Sequence, residues 1–220
     1  GVSGLGRIIV CGICGYVRAG VGSEPSLRPM LDALVHRGPD EEGWHKTDRI
    51  AIGVRRLSII DVQHGHQPVS DESGAVWVAQ NGEIYNYLSL RQNLEKQGNR
   101  FQSNSDTEVI AHLYHRHGLK MFDHLRGMFS LCIYDQRDNS ITLARDPFGE
   151  KPLFYAQYGD GLVFASEIRA LLAGAPWLPR TLDREALAYY LRANLVPAPL
   201  TMFAAIRQLE PGSWLRWQDG

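Results

Sequence analysis

The segment Cys11-Gly12-Ile13-Cys14-Gly15-Tyr16-Val17 runs on directly from the apolar stretch Ile8-Ile9-Val10. Branched, aromatic and small residues of this kind suit a buried strand, and the sequence predicts one over residues 8–17. Cys11 and Cys14 are spaced C-x-x-C, which admits a redox or a metal reading. A structural zinc needs four ligands, and no second pair of that kind follows. A redox pair would open a helix, whose N-terminus lowers the thiol pKa. This pair lies instead within a glycine-interrupted apolar strand. An inert buried thiol is the bland alternative, and it is common.

Working outward, residues 25–35 place Leu27, Met30, Leu31, Leu34 and Val35 at helical spacing, with Pro25 suited to the first turn. His36-Arg37-Gly38-Pro39-Asp40 ends that helix, because Pro39 pushes Gly38 out of the helical region. Strands are expected over residues 50–60 and 75–80, with a turn at 71–74 before the second. A helix over 87–96 stops ahead of Gly98. Asp106 is expected to cap a helix over 107–117, with Gly118 as its stop. Residues 128–134 and 140–145 read as a hairpin around Asp138-Asn139. Residues 153–157 and 162–165 read as another, around Gly159-Asp160-Gly161. Helices over 167–172 and 183–192, the second capped by Asp183, and a strand over 213–217 follow. Helices fall between groups of strands, and hairpins are frequent. The class this favours is α+β, with two antiparallel sheets between helix layers. The terminal Asp219-Gly220 is a preferred hairpin turn with no strand after it, which fits a longer gene product.

At 220 residues, 44% hydrophobic and 21% charged, the chain has ordinary globular composition and room for a substantial core. A net charge of −1, without long runs of one sign, argues against nucleic-acid or membrane-surface binding. No stretch approaches the ~20 apolar residues of a membrane span. Residues 1–10 are too short for a signal peptide. The cysteines, Cys11, Cys14 and Cys132, make no disulfide scaffold and fit a reducing cytoplasm. His112, His115 and His117 share a presumed helix at ligand-like spacing but read as its solvated face.

A cysteine that attacks a carbonyl needs a thiolate, a proton acceptor and donors for the oxyanion. Downstream of Cys11 stand Arg56-Leu57-Ser58-Ile59-Ile60-Asp61, Asn81-Gly82-Glu83-Ile84-Tyr85-Asn86 and Ser105-Asp106-Thr107-Glu108. With the Cys11 segment, these resemble the glutaminase domain of a class II glutamine amidotransferase, most closely that of the glutamine-hydrolysing asparagine synthetases. The resemblance runs from Cys11 nearly to the end of the chain. It implies an N-terminal-nucleophile hydrolase fold, a four-layer αββα sandwich.

The resemblance also implies roles. Cys11 is the nucleophile and carries its own α-amine as base. The Asn81 side-chain amide and the Gly82 backbone N–H hold the oxyanion. Asn-Gly by itself is a turn; the hexapeptide behind an apolar strand is the specific signal. Arg56 forks onto the α-carboxylate of glutamine, with Leu57 to Ile60 lining the pocket. Arg55, its neighbour on a strand, should point the opposite way, to the surface. Glu83 and Asp106 take the α-ammonium; for Asp106 a helix cap remains an equal reading, and it can be both. His36 to Asp40 resembles a loop that folds over bound glutamine. The segments 145–153 and 165–167 read as scaffold and domain interface.

No metal and no cofactor are implied for this domain. ATP and Mg belong to a C-terminal synthetase domain that receives ammonia through a tunnel. Its Ser-Gly-Gly-x-Asp-Ser loop does not occur in this sequence. The implied partners are glutamine and that synthetase domain, with no nucleic acid and no membrane; a homodimer is compatible. In the family the nucleophile is the first residue, whereas here ten residues precede Cys11. Residues 1–10 therefore read as an extension, from a tag or an upstream start, and residues 11–220 as the glutaminase domain. With the extension joined, the Cys11 nitrogen is an amide and no base. A catalytically silent glutamine-binding or regulatory module is accordingly the alternative.

Overall fold

Strand β1 (Gly12–Val17) is buried along its whole length. A strand buried on both faces has to lie between two apolar layers. Its alternate side chains show which layers these are. Ile13 and Val17 face a cluster that includes Ile52, Val54, Ala79, Cys132 and Leu143. Cys14 and Tyr16 face the opposite way, among Met30, Leu31 and Leu171. Gly15 sits where a Cβ would meet the Ala51 carbonyl oxygen at 2.3 Å and the Phe164 ring at 2.5 Å. No larger residue fits at this point of closest approach.

The computed structural model describes residues 11–20, 22–57 and 65–218. The expected strand start at 8–10, the expected strand end at 58–60 and the candidate Ile60 lie outside those residues. After β1 come α1 (Leu27–Ala33), β2 (Glu41–Lys46), β3 (Ile50–Arg56), β4 (Val69–Ser70), β5 (Val76–Ile84), α2 (Tyr87–Lys96) and α3 (Asp106–His117). A 3-10 helix (Gly118–His124) leads to β6 (Gly127–Asp135), β7 (Ser140–Arg145), β8 (Phe154–Tyr158) and β9 (Gly161–Ala165). Last are α4 (Ile168–Gly174), α5 (Arg184–Ala193), β10 (Arg207–Gln208) and β11 (Trp214–Gln218).

The strands form two antiparallel sheets, in the orders β10-β8-β9-β1-β3-β2 and β11-β7-β6-β5-β4. Between the sheets lies the cluster of Ile13, Ile52, Val54 and Leu143. Helices α1 and α4 cover the outer face of the first sheet. Helices α2 and α3 cover the second, with Leu94, Val109, Ile110 and Leu113 against Val76, Val78, Leu131 and Ile133. Each wholly buried Ile or Leu in these layers contributes about 1.5–3 kcal/mol. The expected α+β class and the four-layer αββα sandwich both hold.

The differences are local. Strand β2 was not expected, because Glu41-Glu42-Gly43-Trp44-His45-Lys46 has no apolar alternation. It forms through its ladder with β3, from Glu41 opposite Arg56 to Lys46 opposite Ala51. Strand β5 continues past residue 80 to Ile84, since β6 pairs with it as far as Gly127. Asn81-Gly82 is thus inside a strand and makes no turn. Helix α3 is capped by Ser105, whose side chain accepts from Thr107 N at 3.1 Å. Asp106 is the first helical residue, and its carboxylate turns inward. His112 corrects the solvated-face expectation. It is 1% exposed, tilted against the Phe101 ring with centroids 4.5 Å apart, and bonded to Asn99.

Candidate active site

Cys11 stands just before the first ladder pair of β1, half-buried, with Sγ 3.7 Å from the Leu57 carbonyl oxygen. Its own carbonyl oxygen accepts from Arg37 Nε at 3.0 Å. Ile13, two residues on, donates to Ser166 Oγ at 3.0 Å and accepts from Ser166 N at 2.8 Å. Sγ opens into a cavity of about 90 Å³ lined by Cys11, Arg56, Leu57, Gln67, Gly82, Glu83, Ser105, Asp106, Met128 and Lys151. Folding therefore gathers six of the candidates, Cys11, Arg56, Leu57, Gly82, Glu83 and Asp106, around one space.

Asn81 lies behind that wall, fully buried. Its amide nitrogen reaches Ser130 Oγ at 3.4 Å, and its Oδ1 has no partner among the described residues. The Ser130 hydroxyl can donate or accept, so either end of the amide can face it. Whichever end does, the other is left over. Gly82 has φ 144°, and a Cβ there would meet the Met128 carbonyl oxygen at 2.0 Å. Only glycine lets the strand take this path beside the pocket.

The charges are arranged by burial. The Arg56 side chain is 5% exposed and donates to Glu41 at 2.8 Å. Glu41 also binds His66. Burial pushes the Glu41 carboxyl up, but its bonds from His66 and Arg56 outweigh that and hold it below the usual range. Arg55 does point the opposite way, as strand geometry requires, yet it is no surface residue. It packs against α1, donating to Leu31 O at 3.1 Å and pairing with Glu42 at 2.6 Å.

Asp106 accepts from Gln80 Nε2 at 3.0 Å and Ile84 N at 2.9 Å, both on Oδ2. Burial raises its pKa, Glu83 adds to the effect, and those two bonds only partly offset it. Burial likewise pushes the Cys11 thiol up, against lowering by the Leu57 contact and the Arg56 charge. The thiol is therefore protonated at neutral pH until something accepts its proton. No histidine lines the cavity among the described residues.

A family profile described as a glutamine amidotransferase domain matches residues 10–220. The chain belongs to the glutamine amidotransferase domain family. Asparagine synthetase [glutamine-hydrolyzing] 1 of Bacillus subtilis is 42% identical over 86% of this chain and 30% of its own length. A putative glutamine-hydrolysing asparagine synthetase of Mycobacterium tuberculosis is 37% identical, over 94% of this chain and 35% of its own. Among solved structures, the glutamine phosphoribosylpyrophosphate amidotransferase of B. subtilis, complexed with ADP and GMP, superposes with a TM-score of 0.68. Identity there is 26%, over 95% of this chain and 47% of that one. The chain thus spans about a third of the length of the curated relatives it matches.

Four residues of the pocket were not among the expected site residues: Gln67, Ser105, Met128 and Lys151. Gln67 lies in a polar loop. It donates to Thr107 Oγ1 at 3.1 Å and accepts from Gln80 N at 2.8 Å, so it braces the strand that carries Asn81 and Gly82. Lys151 belongs to a segment expected to be scaffold only. The Arg145 guanidinium ties that segment down through the Gly149, Lys151 and Leu209 carbonyl oxygens, at 2.6, 2.9 and 2.7 Å. The same loop brings Lys151 to the cavity wall. A lysine within Arg145-Asp146-Pro147-Phe148-Gly149-Glu150-Lys151 was the available clue. The loop from His36 to Asp40 sends His36 and Arg37 toward Glu167 instead of into the cavity. Cys14 is wholly buried on the helix side of β1, and all three cysteines are free thiols.

Proposed function

We propose that this domain hydrolyses the side-chain amide of glutamine to glutamate, and that the ammonia serves a synthetase domain of the asparagine-forming kind. One observation carries the reading. A single thiol shares its cavity with a buried guanidinium, Arg56, and with two carboxylates, Glu83 and Asp106. That is the charge pattern complementary to an α-carboxylate and an α-ammonium. The relatives, glutamine-hydrolysing asparagine synthetases, agree with it.

In this reading the free α-amine of an N-terminal Cys11 takes the thiol proton. Sγ attacks the amide carbon, and the Gly82 N–H at the cavity wall receives the developing oxyanion, joined by the Asn81 amide, which turns from Ser130 toward the cavity to do so. The ammonium of Cys11 returns its proton to the leaving nitrogen, ammonia departs and a thioester remains. Water, deprotonated by the same amine, then releases glutamate. Nucleophile, base and oxyanion donors all come from the chain, so no cofactor is asked of this domain. ATP and Mg would act in the synthetase domain.

Steady-state kinetics on glutamine test the roles. Arg56→Lys keeps the charge and loses the fork, so KM rises, by about 10-fold or more if one charged hydrogen bond is lost. Asn81→Ala lowers kcat by about 10²–10³-fold. If both variants changed KM alone, the division of labour would be wrong.

Asp106→Asn separates binding from stability. An Asn carbonyl can accept the two bonds now made to Oδ2. The folded-state pKa of Asp106 is raised, so its favourable contribution belongs to the protonated form and is lost as pH rises through that pKa. At neutral pH the buried charge costs stability. Asp106→Asn should therefore raise Tm at neutral pH, with the gain fading in acid, while KM for glutamine rises by about 10–100-fold. A lower Tm at pH 7, measured by calorimetry, would contradict the electrostatic account.

A further inference from the structure

The ladders of β1 begin at Gly12 with β3 and at Cys14 with β9. Cys11 lies beyond both, so neither neighbouring strand holds its carbonyl group. Arg37 does, with Nε 3.0 Å from the Cys11 oxygen. The other edge of the same guanidinium is fixed by Glu167, whose Oε1 accepts from Arg37 Nη1 at 2.9 Å. Glu167 is held in turn by His36 at 2.9 Å on Oε1 and by Arg169 Nε at 2.6 Å on Oε2. Its neighbour Ser166 bonds both the N–H and the C=O of Ile13. Ser166 and Glu167 thus grip the chain on either side of Gly12, one directly and one through Arg37. Burial alone would raise the Glu167 carboxyl, but the bonds from Arg37, His36 and Arg169 outweigh it and keep it ionised.

We infer that Glu167 is a positioning residue for the Cys11 nucleophile and acts through Arg37. The inference rests on the reading of Cys11 as the nucleophile of glutamine hydrolysis. Glu167 touches neither the cavity nor the substrate groups named above. Without its carboxylate, Arg37 loses the partner that aims its Nε at the Cys11 carbonyl, and the thiol is free to tilt about the end of β1. A displacement of about 1 Å at a reacting atom costs on the order of 10²-fold in rate. Arg56, Glu83 and Asp106 stay in place, so glutamine is bound as before.

The experiment is a double-mutant cycle in the full-length protein whose chain begins at Cys11, with kcat and KM for glutamine and the rate of Cys11 alkylation by iodoacetamide as readouts. Glu167→Gln should lower kcat by about 10–100-fold and slow alkylation, with KM near its original value. In an Arg37→Ala background, Glu167→Gln should add little, because its route is already cut. Fully additive losses, or a kcat in Glu167→Gln equal to that of the unaltered protein, overturn the inference. So does a rise in KM with kcat intact. If Glu167→Gln does not fold, Glu167→Asp, which keeps the charge but falls short of Arg37, carries the same cycle. Absence of glutamine turnover in the unaltered protein, or full turnover in Cys11→Ala, would instead sink the parent reading and this inference with it.

Discussion

A chain whose first residue is Cys11 releases glutamate from glutamine at least ~100-fold faster than the same chain with residues 1–10 still joined to it, the factor expected for a general base. A free α-amine has a pKa of about 7.7–8.0 and can take a thiol proton near neutrality. Joined to Val10, the same nitrogen is an amide and cannot. The structure sharpens the expectation in two ways. Burial holds the Cys11 thiol above its ordinary range, so the proton does not leave unaided. No histidine stands in the cavity wall among the described residues to replace the amine. Cys11 stands outside the ladder of β1 with β3, which runs from Gly12 to Val17, so a free Cys11 nitrogen is not asked of the sheet and Tm should change little. Glutamate release is compared at equal protein concentration, with mass spectrometry reporting whether the extension stays attached. Equal rates from the two forms would mean that another group, with Asp106 and Glu83 the carboxylates in the cavity wall, receives the proton.

Cys11→Ala abolishes turnover, by on the order of 10⁴-fold or more as for other nucleophiles removed from a covalent mechanism, while glutamine still binds. Binding survives because Arg56 and Asp106 are held by contacts that do not involve Sγ: Glu41 for Arg56, and Gln80 and the Ile84 amide for Asp106. Titration calorimetry with glutamine reads the binding, and glutamate release reads the turnover. Cys14→Ala is the companion variant. Cys14 is buried against α1 and α4, away from the cavity, so its loss should cost stability through a small void and leave turnover in place. Equal damage from the two substitutions would revive a role for the C-x-x-C pair.

The layering could be read from local pattern because it rests on local pattern. Apolar residues on both faces of β1 call for cover on two sides, and the hairpins around Asp138-Asn139 and Gly159-Asp160-Gly161 follow from turn chemistry. Asn139 does take the left-handed conformation, at φ 52°. Helix α2 matches its expected bounds, 87–96, because Gly98, at φ 94°, stops it where expected. Strand β2 was hidden for the opposite reason. Its side chains are polar, and what makes it a strand is the backbone of β3 beside it.

The candidate site divides along the same line. Cys11, Arg56, Gly82, Glu83 and Asp106, which the cavity gathers, could be picked out because their segments resemble those of the family; Asn81, from the same hexapeptide as Gly82, lies behind the wall. Chain order could not show that motifs from β1, β3, β5 and α3 meet in one cavity, nor which neighbours they acquire there. Gln67 and Lys151 enter from loops. Ser105 takes the capping role and frees Asp106 to turn inward. His112 leaves the surface for the core. Glu167, 156 positions after Cys11 in the chain, reaches it through one guanidinium. Side-chain type is a property of the sequence, and so is the period that puts it on a face. Burial, pKa and partnership are set by what packs opposite, and in this fold the packing joins segments far apart along the chain.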